Sequence, residues 1–151
     1  MPDQTDPFLI AFREYFDGSV DGLRAALTGV PPNGLNWKPK GDETNSLAVI
    51  ATHAMGATRT WICVALVQPQ RARSRDAEFV TVAAGDQALL AFIDDIAADC
   101  RTLLDGPAPD DWTVMRQPQN VTAASALVHA IEHLKEHVGQ IALTRQLWDA
   151  S

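Results

Sequence analysis

Apolar side chains recur at steps of three and four positions along four long segments of the chain, as expected for amphipathic α-helices. The first segment begins at Asp6-Pro7, where an acidic N-cap followed by proline at the first helical position is typical of a helix start. We therefore predict a first helix that ends near Gly29. Its core-facing positions are Leu9, Phe12, Phe16, Val20, Leu23 and Leu27.

Three further helices are bounded by capping residues and by proline or glycine. The stretches between the four helices are rich in proline, glycine and aspartate, and each is about 16 to 18 residues long, which exceeds a usual bundle turn. We therefore expect three long connections. The predicted helix starts and ends are a cap at Asn45 or Ser46 with a stop at Gln68-Pro69, a cap at Asp86 with a stop at Gly106-Pro107, and a cap at Thr122.

Four amphipathic helices of about 19 to 25 residues have one simple packing solution, which is an all-α four-helix bundle. We predict a single domain that spans residues 1–151. The long connections permit a crossover in place of a strict up-and-down order. A small sheet, which would have to be built from residues 79–82 and 112–115, is the less favoured alternative.

The charge balance and the distribution of apolar residues bear on partners and location. The 151 residues include 19 acidic and 12 basic side chains, for a net charge of -7, which disfavours nucleic-acid binding. No uninterrupted apolar run approaches the ~18 residues of a membrane span, and the polar residues 1–5 lack the pattern of a signal peptide. We expect a cytoplasmic protein that binds neither nucleic acid nor membrane.

Two other groups of residues each allow a structural and a functional interpretation. Cys63 and Cys100 lie within helical patterns and lack metal-type spacing, which favours two reduced core cysteines. Arg71, Arg73 and Arg75 form a basic run in an acidic chain. This run is either a solvated loop or a rim that binds an anion or a substrate.

Three of the four histidines lie four residues apart on the last predicted helix, at His129, His133 and His137. One turn separates His133 from His137, so that their imidazoles can converge on one cation. With the apolar stripe of this helix at zero on the helical wheel, His137 lies at about 80°, His133 at about 120° and His129 at about 160°. The first two therefore flank the core stripe, whereas His129 points away from it.

His53, on the second predicted helix, lies about 70° from the centre of its own stripe and is also at a rim. A metal site in a groove between helices needs apolar residues behind its ligands and access from solvent. Histidines at the edges of two core-facing surfaces meet both conditions. His53, His133 and His137 are therefore candidate ligands of a divalent metal, and three imidazoles suit zinc, nickel or iron(II). His129 is predicted to be a bystander.

A protease motif overlaps these histidines, since residues 129–133 and 133–137 both match H-x-x-E-H. That zinc-protease signature requires a further glutamate ligand downstream, and none of the residues after His137 is Glu. We therefore reject the protease. Glu132 and Glu136 are interpreted as helix-surface charges or as carboxylates that orient an imidazole.

Three stretches of the chain carry a family resemblance. They are residues 34–39 and 45–53 with Trp61, residues 75–79, and the run His133-Leu-Lys-Glu-His137-Val-Gly139-Gln140-Ile141. The last run looks like the H-x-x-x-H-x-G-Q-I ending of the DinB-like superfamily, a group of small bacterial four-helix-bundle proteins. With the helix pattern, the chain resembles this family over nearly its whole length.

The resemblance implies that His53, His133 and His137 bind a divalent metal, usually zinc or nickel, in a groove between the second and fourth predicted helices. It also implies an up-down-down-up bundle and a homodimer formed through helices. Some members of the family are thiol-dependent enzymes, namely mycothiol-dependent maleylpyruvate isomerase and transferases that use bacillithiol, mycothiol or glutathione.

We therefore expect a metal-dependent transferase in which a low-molecular-weight thiol attacks an electrophilic small-molecule substrate. The sulfur would come from a cofactor because Cys63 and Cys100 lie on helix interiors, and the loop from Arg71 to Arg75 would hold carboxylates of the thiol or the substrate. Two alternatives stay open. One is a non-enzymatic dimer with a fully ligated structural metal, and the other is a hydrolase that uses metal-bound water at the same three histidines.

Overall fold

The structure is a computed structural model that describes residues 5–151. The prediction that the N-terminus lacks a signal peptide concerns mostly residues 1–4, which lie outside the described residues. Four long helices dominate the described chain, and its two strands have only two residues each, so that the all-α prediction is confirmed. The elements in chain order are α1 (Pro7–Leu27), α2 (Pro32–Leu35), α3 (Leu47–Leu66), α4 (Arg75–Glu78), α5 (Asp86–Leu104), β1 (Met115–Arg116), β2 (Val121–Thr122) and α6 (Ala123–Asp149).

The capping residues predicted for three of the long helices are confirmed. At α1, one carboxylate oxygen of Asp6 accepts hydrogen bonds from the amides of Phe8 and Leu9, each at 2.9 Å. Ser46 before α3 and Thr122 before α6 each accept from the amide three residues further on, at 3.2 and 3.0 Å. These bonds satisfy amides that the first turn of a helix leaves without a partner.

The cap predicted at Asp86 is wrong by one residue, because Gly85 is the N-cap of α5 and Asp86 is its first helical residue. The Asp86 carboxylate instead accepts two backbone hydrogen bonds, from the amide of Gln87 at 2.9 Å and from the amide of Gly29 at 2.8 Å. Asp86 therefore joins the start of α5 to the turn that follows α1.

Helix α3 lies at the centre of the core. It packs most extensively against α6 and also against α5, while α1 packs against both α6 and α5. Its residues Leu47, Met55 and Ile62 are fully buried. Among the described helices, only α3 has the length and the apolar composition of a membrane span. However, 78% of its most apolar 18-residue stretch is buried inside the protein. The core helices of globular proteins share this length and composition.

The last of the predicted connections contains a short hairpin. β1 pairs antiparallel with β2, with Met115 opposite Thr122 and Arg116 opposite Val121. The Arg116 Nε atom donates a hydrogen bond of 3.0 Å to the backbone oxygen of Ala65. The hairpin is therefore attached to the C-terminal end of α3 and leads directly into α6.

The small-sheet alternative is wrong about residues 79–82. No strand forms there, since Phe79 caps the C-terminal end of α4, and Val80 and Val82 are 75% and 78% exposed. Of residues 112–115, only Met115 joins a strand, and its partner lies just before α6. The sheet is thus a local hairpin and does not pair two distant connections.

Candidate metal centre

Helices α3 and α6 bring His53, His133 and His137 together. One ring nitrogen of each histidine lies within 4.8 Å of the corresponding nitrogens of the other two. The ring centroid of His53 lies 5.1 Å from each of the other two centroids, which are 4.3 Å from one another. The three histidines selected from the sequence as candidate ligands therefore form one cluster.

The buried face of α6 lies closer to these histidines than its large apolar residues alone indicate. Ala126 and Ala130 are fully buried, whereas Ile131, which the sequence analysis placed on the apolar stripe, is only half-buried. The buried residues of α6 include these alanines and Thr144 but neither Ile131 nor Val138, and the centre of this set lies about 50° from the predicted apolar stripe, on the histidine side. His133 and His137 are therefore half-buried at the contact between α6 and α3, nearer to the core than predicted.

A hydrogen bond assigns the tautomer of His137. Its Nδ1 atom lies 2.7 Å from the side-chain oxygen of Gln140, which accepts, so that Nδ1 carries the proton and Nε2 the lone pair. This Nε2 atom faces the Nε2 atom of His133 at 3.0 Å. Two nitrogens bound to one tetrahedral zinc ion lie about 3.3 Å apart, so the pair is nearly spaced for a shared cation.

The other ring nitrogen of His133 also bears on metal binding. Its Nδ1 atom is buried, and no hydrogen-bond partner for it exists among residues 5–151. Buried polar atoms rarely lack a partner, and they are often found unpaired at functional sites. Three imidazole nitrogens at these separations are a donor set that fits a divalent cation such as zinc or nickel.

Burial keeps two of the histidines in the neutral form that binds metal. Burial, followed by the charges of His137 and His53, lowers the pKa of His133 to about 4. Burial also lowers the pKa of His53, although its hydrogen bond with Glu78 opposes this shift. At neutral pH both rings are therefore uncharged, so that no proton has to be displaced when a cation binds.

A carboxylate on α4 lies next to His53. The Glu78 Oε1 atom is 3.3 Å from His53 Nδ1, and Arg73 donates to both oxygens of Glu78 at 2.7 Å each. From the sequence, we predict such a contact only for Glu132 or Glu136. Glu132 instead lies 3.6 Å from His129, and its side chain is 70% exposed.

Sequence reasoning therefore missed the role of Glu78, although the residue lies in the segment 75–79 that carries part of the family resemblance. It is separated from His53 by 25 positions and sits on a helix of a single turn. No periodic pattern marks so short a helix, and a contact across that distance depends on how the connection folds over α3.

His129 lies beside the cluster but does not belong to the group of candidate ligands. Its ring packs edge-on against Trp61, with centroids 4.4 Å apart, and its centroid is 5.9 Å from that of His133. His129 is thus separate from the other three histidines, as its position on the helical wheel predicts, and it lies next to an aromatic ring of α3.

A groove of about 420 Å³ opens on two of the clustered histidines, His53 and His137. Its wall includes the polar side chains of Arg75 and Gln140 and the apolar side chain of Phe79. The Phe79 ring centroid lies 5.0 Å from that of His53, and the Arg75 guanidinium carbon lies 4.8 Å from the Phe79 centroid. The groove therefore provides an apolar surface and one cation close to the histidines.

The three arginines of the basic run have different environments. Arg71 pairs with Asp99 at 2.6 Å, and Arg73 pairs with Glu78. Arg75 is exposed and stacks on Phe79 in the histidine groove. Two of the three guanidinium groups are thus engaged by acidic side chains, and Arg75 is the one that reaches the histidine groove.

Both cysteines are free and buried. Burial raises the pKa of the Cys63 thiol, and it raises the pKa of Cys100 to about 12. The nucleophilic form of cysteine is the thiolate, which neither side chain forms readily at neutral pH. The prediction of two reduced core cysteines is therefore confirmed for burial and for the absence of a disulfide between them.

The helical fold and the cluster of three imidazoles define a class of small α-helical proteins with a candidate metal site. The sequence pattern of the family described as mycothiol-S-transferase matches residues 11–150 of the chain. The chain therefore belongs to the mycothiol S-transferase family, and the resemblance to DinB-like proteins is confirmed.

A solved structure shares the fold. It is the crystal structure of a conserved protein from Enterococcus faecalis, with a TM-score of 0.73, 19% identity, and coverage of 93% of this chain and 96% of that chain. At this identity the likeness establishes the fold alone. No curated protein matches the chain.

Proposed function

We propose that this protein is a metal-dependent thiol S-transferase that joins a low-molecular-weight thiol to an electrophilic small molecule. The observation that carries the proposal is the cluster of His53, His133 and His137, whose candidate ligand atoms lie within 4.8 Å of one another. A groove that opens on two of these histidines gives a small molecule access. Membership of the mycothiol S-transferase family supports thiol chemistry and makes mycothiol the first thiol to test.

The three histidines would hold zinc or nickel and leave a coordination position open. Within residues 5–151, the group contains three candidate ligands and no fourth His, Cys, Asp or Glu. Structural zinc sites are normally closed by four protein ligands, so three ligands favour catalysis over a purely structural dimer. When bound, the cation supplies a Lewis acid that lowers the pKa of the thiol.

The side chains around the groove would bind and orient the reactants. Phe79 offers an apolar surface, Arg75 offers a cation for an anionic group, and Gln140 holds the ring of His137. The thiol sulfur forms a bond to an electrophilic carbon, the electron pair of the broken bond departs with the leaving group, and the thiol proton passes to solvent. The attacking sulfur belongs to the small thiol, since both cysteines of the chain are buried.

The remaining predictions of architecture and location belong to the same proposal. We propose that residues 1–151 form one domain and that the four long helices form an up-down-down-up bundle. The packing of α1 and of α3 on both α5 and α6 supports a bundle of these four helices. A homodimer and a cytoplasmic location remain predictions. Light scattering of the purified protein tests the dimer, and a mass of a single chain would contradict it.

A thiol-transfer assay tests the proposed function. The protein, loaded with zinc or nickel, is incubated with a bimane electrophile and with mycothiol, bacillithiol or glutathione in turn. We expect the wild type and His129→Ala to give a thiol-dependent rate that His137→Ala lacks. No thiol-dependent rate above that of His137→Ala would contradict the transferase, and metal-dependent hydrolysis of an ester substrate without thiol would support the hydrolase.

A further inference from the structure

Arg73 and Glu78 form an ion pair beside His53, in which the carboxylate is buried and the arginine is partly exposed. The Arg73 Nε atom donates to one carboxylate oxygen of Glu78, and the terminal nitrogen donates to the other, each at 2.7 Å. Glu78 is 8% exposed. A two-point contact of this kind fixes both the position and the rotation of a carboxylate.

Two groups approach the same nitrogen of His53. Glu78 Oε1 lies 3.3 Å from Nδ1, and the terminal nitrogen of Arg73 lies 3.4 Å from it. The Arg73 nitrogen already donates to Glu78 Oε1 over the much shorter distance of 2.7 Å. The carboxylate can only accept, so Nδ1 of His53 carries the proton and donates to it. The lone pair of the ring is then on Nε2, which is free to coordinate a cation.

Gly56 makes room for this pair on the surface of α3. A Cβ atom at this position would lie 2.5 Å from Glu78 Oε2 and 3.0 Å from Arg73 Nε. Glycine is unfavourable inside a helix, and here the missing side chain is what lets the carboxylate approach α3. His53, one turn before Gly56, is therefore within reach of a side chain from a distant connection.

We propose that Glu78, held by Arg73, is a positioning residue that fixes His53 in the Nδ1-protonated tautomer and aims its Nε2 atom at the cation. This inference rests on the proposed metal site. Carboxylates that accept from the outer nitrogen of a ligating histidine fix the orientation of the ring and raise its basicity as a ligand. Gln140 makes the corresponding contact to His137, but as a neutral acceptor.

Metal titration with zinc tests the inference through affinity. We expect Glu78→Ala to weaken zinc binding by about 10–100-fold. Glu78→Gln keeps an acceptor oxygen and should lose less. Gly56→Ala should weaken binding in the same direction as Glu78→Ala, because the new methyl group displaces the carboxylate. Glu136→Ala, which removes an exposed glutamate next to His137, is the matched control and should bind as the wild type does.

A second measurement uses the metal-free protein, so that its outcome does not depend on the proposed function. Long-range proton–nitrogen NMR spectra of the histidine rings report which ring nitrogen is protonated. We expect His53 to be protonated at Nδ1 in the wild type and in Glu136→Ala, and to shift towards the other tautomer in Glu78→Ala. A wild-type His53 protonated at Nε2, or the same tautomer and the same zinc affinity in Glu78→Ala, would overturn the inference. A wild type with the expected tautomer but without zinc binding would contradict the proposed function alone.

Discussion

The Nδ1 atom of His137 lies 2.7 Å from the side-chain oxygen of Gln140, one turn further along α6. Successive turns of α6 thus carry a candidate ligand, His137, and the side chain that orients it, Gln140. Because the partner is local in sequence, the contact forms whenever α6 is helical and does not depend on a distant connection.

Loss of this contact should weaken metal binding. We expect Gln140→Leu to raise the zinc dissociation constant about tenfold, since an imidazole without its outer hydrogen bond is less well oriented. Isothermal titration calorimetry measures the change. Gln146→Leu, at an exposed position of the same helix, is the control. An equal affinity in Gln140→Leu and Gln146→Leu would show that Gln140 does not orient the ligand.

The cysteines should be inert in the folded protein. Burial raises the pKa values of both thiols, to about 12 for Cys100, so neither side chain reacts readily as a thiolate. We expect Ellman's reagent to label no cysteine in the native state and both cysteines in urea. Cys63→Ala should keep the thiol-transfer rate of the wild type. A large loss of rate in Cys63→Ala, with metal content unchanged, would assign chemistry to the chain's own sulfur.

Acid should destabilise the metal-free protein in a window set by His133. Its pKa is about 4 in the folded state and 6.5 when unperturbed, so between these values the unfolded state binds more protons. The free energy of unfolding therefore falls as the pH is lowered through this window. The groups next to the ring that contribute to the shift are the titratable side chains of His137, His53 and His129 and the charged side chain of Arg73.

Urea denaturation of the metal-free protein at pH 7 and pH 5 measures this effect. We expect the wild type to lose more stability between the two pH values than His133→Asn, because asparagine removes the titrating group. Carboxylates contribute equally to both proteins, so that the difference isolates the histidine. Equal losses in the two proteins would show that His133 titrates near its ordinary pKa in the folded state.

Two glycines should respond to alanine in opposite directions. A Cβ atom at Gly34 would lie 2.8 Å from two ring carbons of Trp148, whereas nothing lies within 4 Å of a Cβ at Gly18 in α1. We expect Gly34→Ala to destabilise the protein by about 1–3 kcal/mol through overpacking. Gly18→Ala should stabilise it by about 0.5–1 kcal/mol, since alanine favours a helix. Thermal unfolding measures both changes, and destabilisation by both substitutions would contradict this account.

The long helices could be predicted from the sequence because their signals are local. Asp6-Pro7 at the start of α1 and Ser46 at the start of α3 are capping residues followed by regular apolar spacing. The cap at Asp86 was misplaced because aspartate is favoured both as an N-cap and in the first turn of a helix. Its actual contact, to the amide of Gly29, depends on packing between two helices.

The candidate site was predictable where it depends on helix geometry and not where it depends on the connections. His133 and His137 are related by one turn, and His53 lies on the face of α3 that packs against α6. The contact between His53 and Glu78 requires the chain after α3 to fold back over Gly56, which no periodicity encodes. The histidines are more buried than predicted because the predicted stripe of α6 contains only large apolar residues. The small alanines Ala126 and Ala130 are also buried, and they allow α6 to pack closely.

Metal content of the purified protein tests the central claim most directly. Elemental analysis is applied to the wild type, to His53→Ala, His133→Ala and His137→Ala, and to His129→Ala as the control. We expect about one divalent metal per chain in the wild type and in His129→Ala, and a loss of metal in each of the other three variants. Metal retained at the wild-type level in all three of those variants would contradict the account.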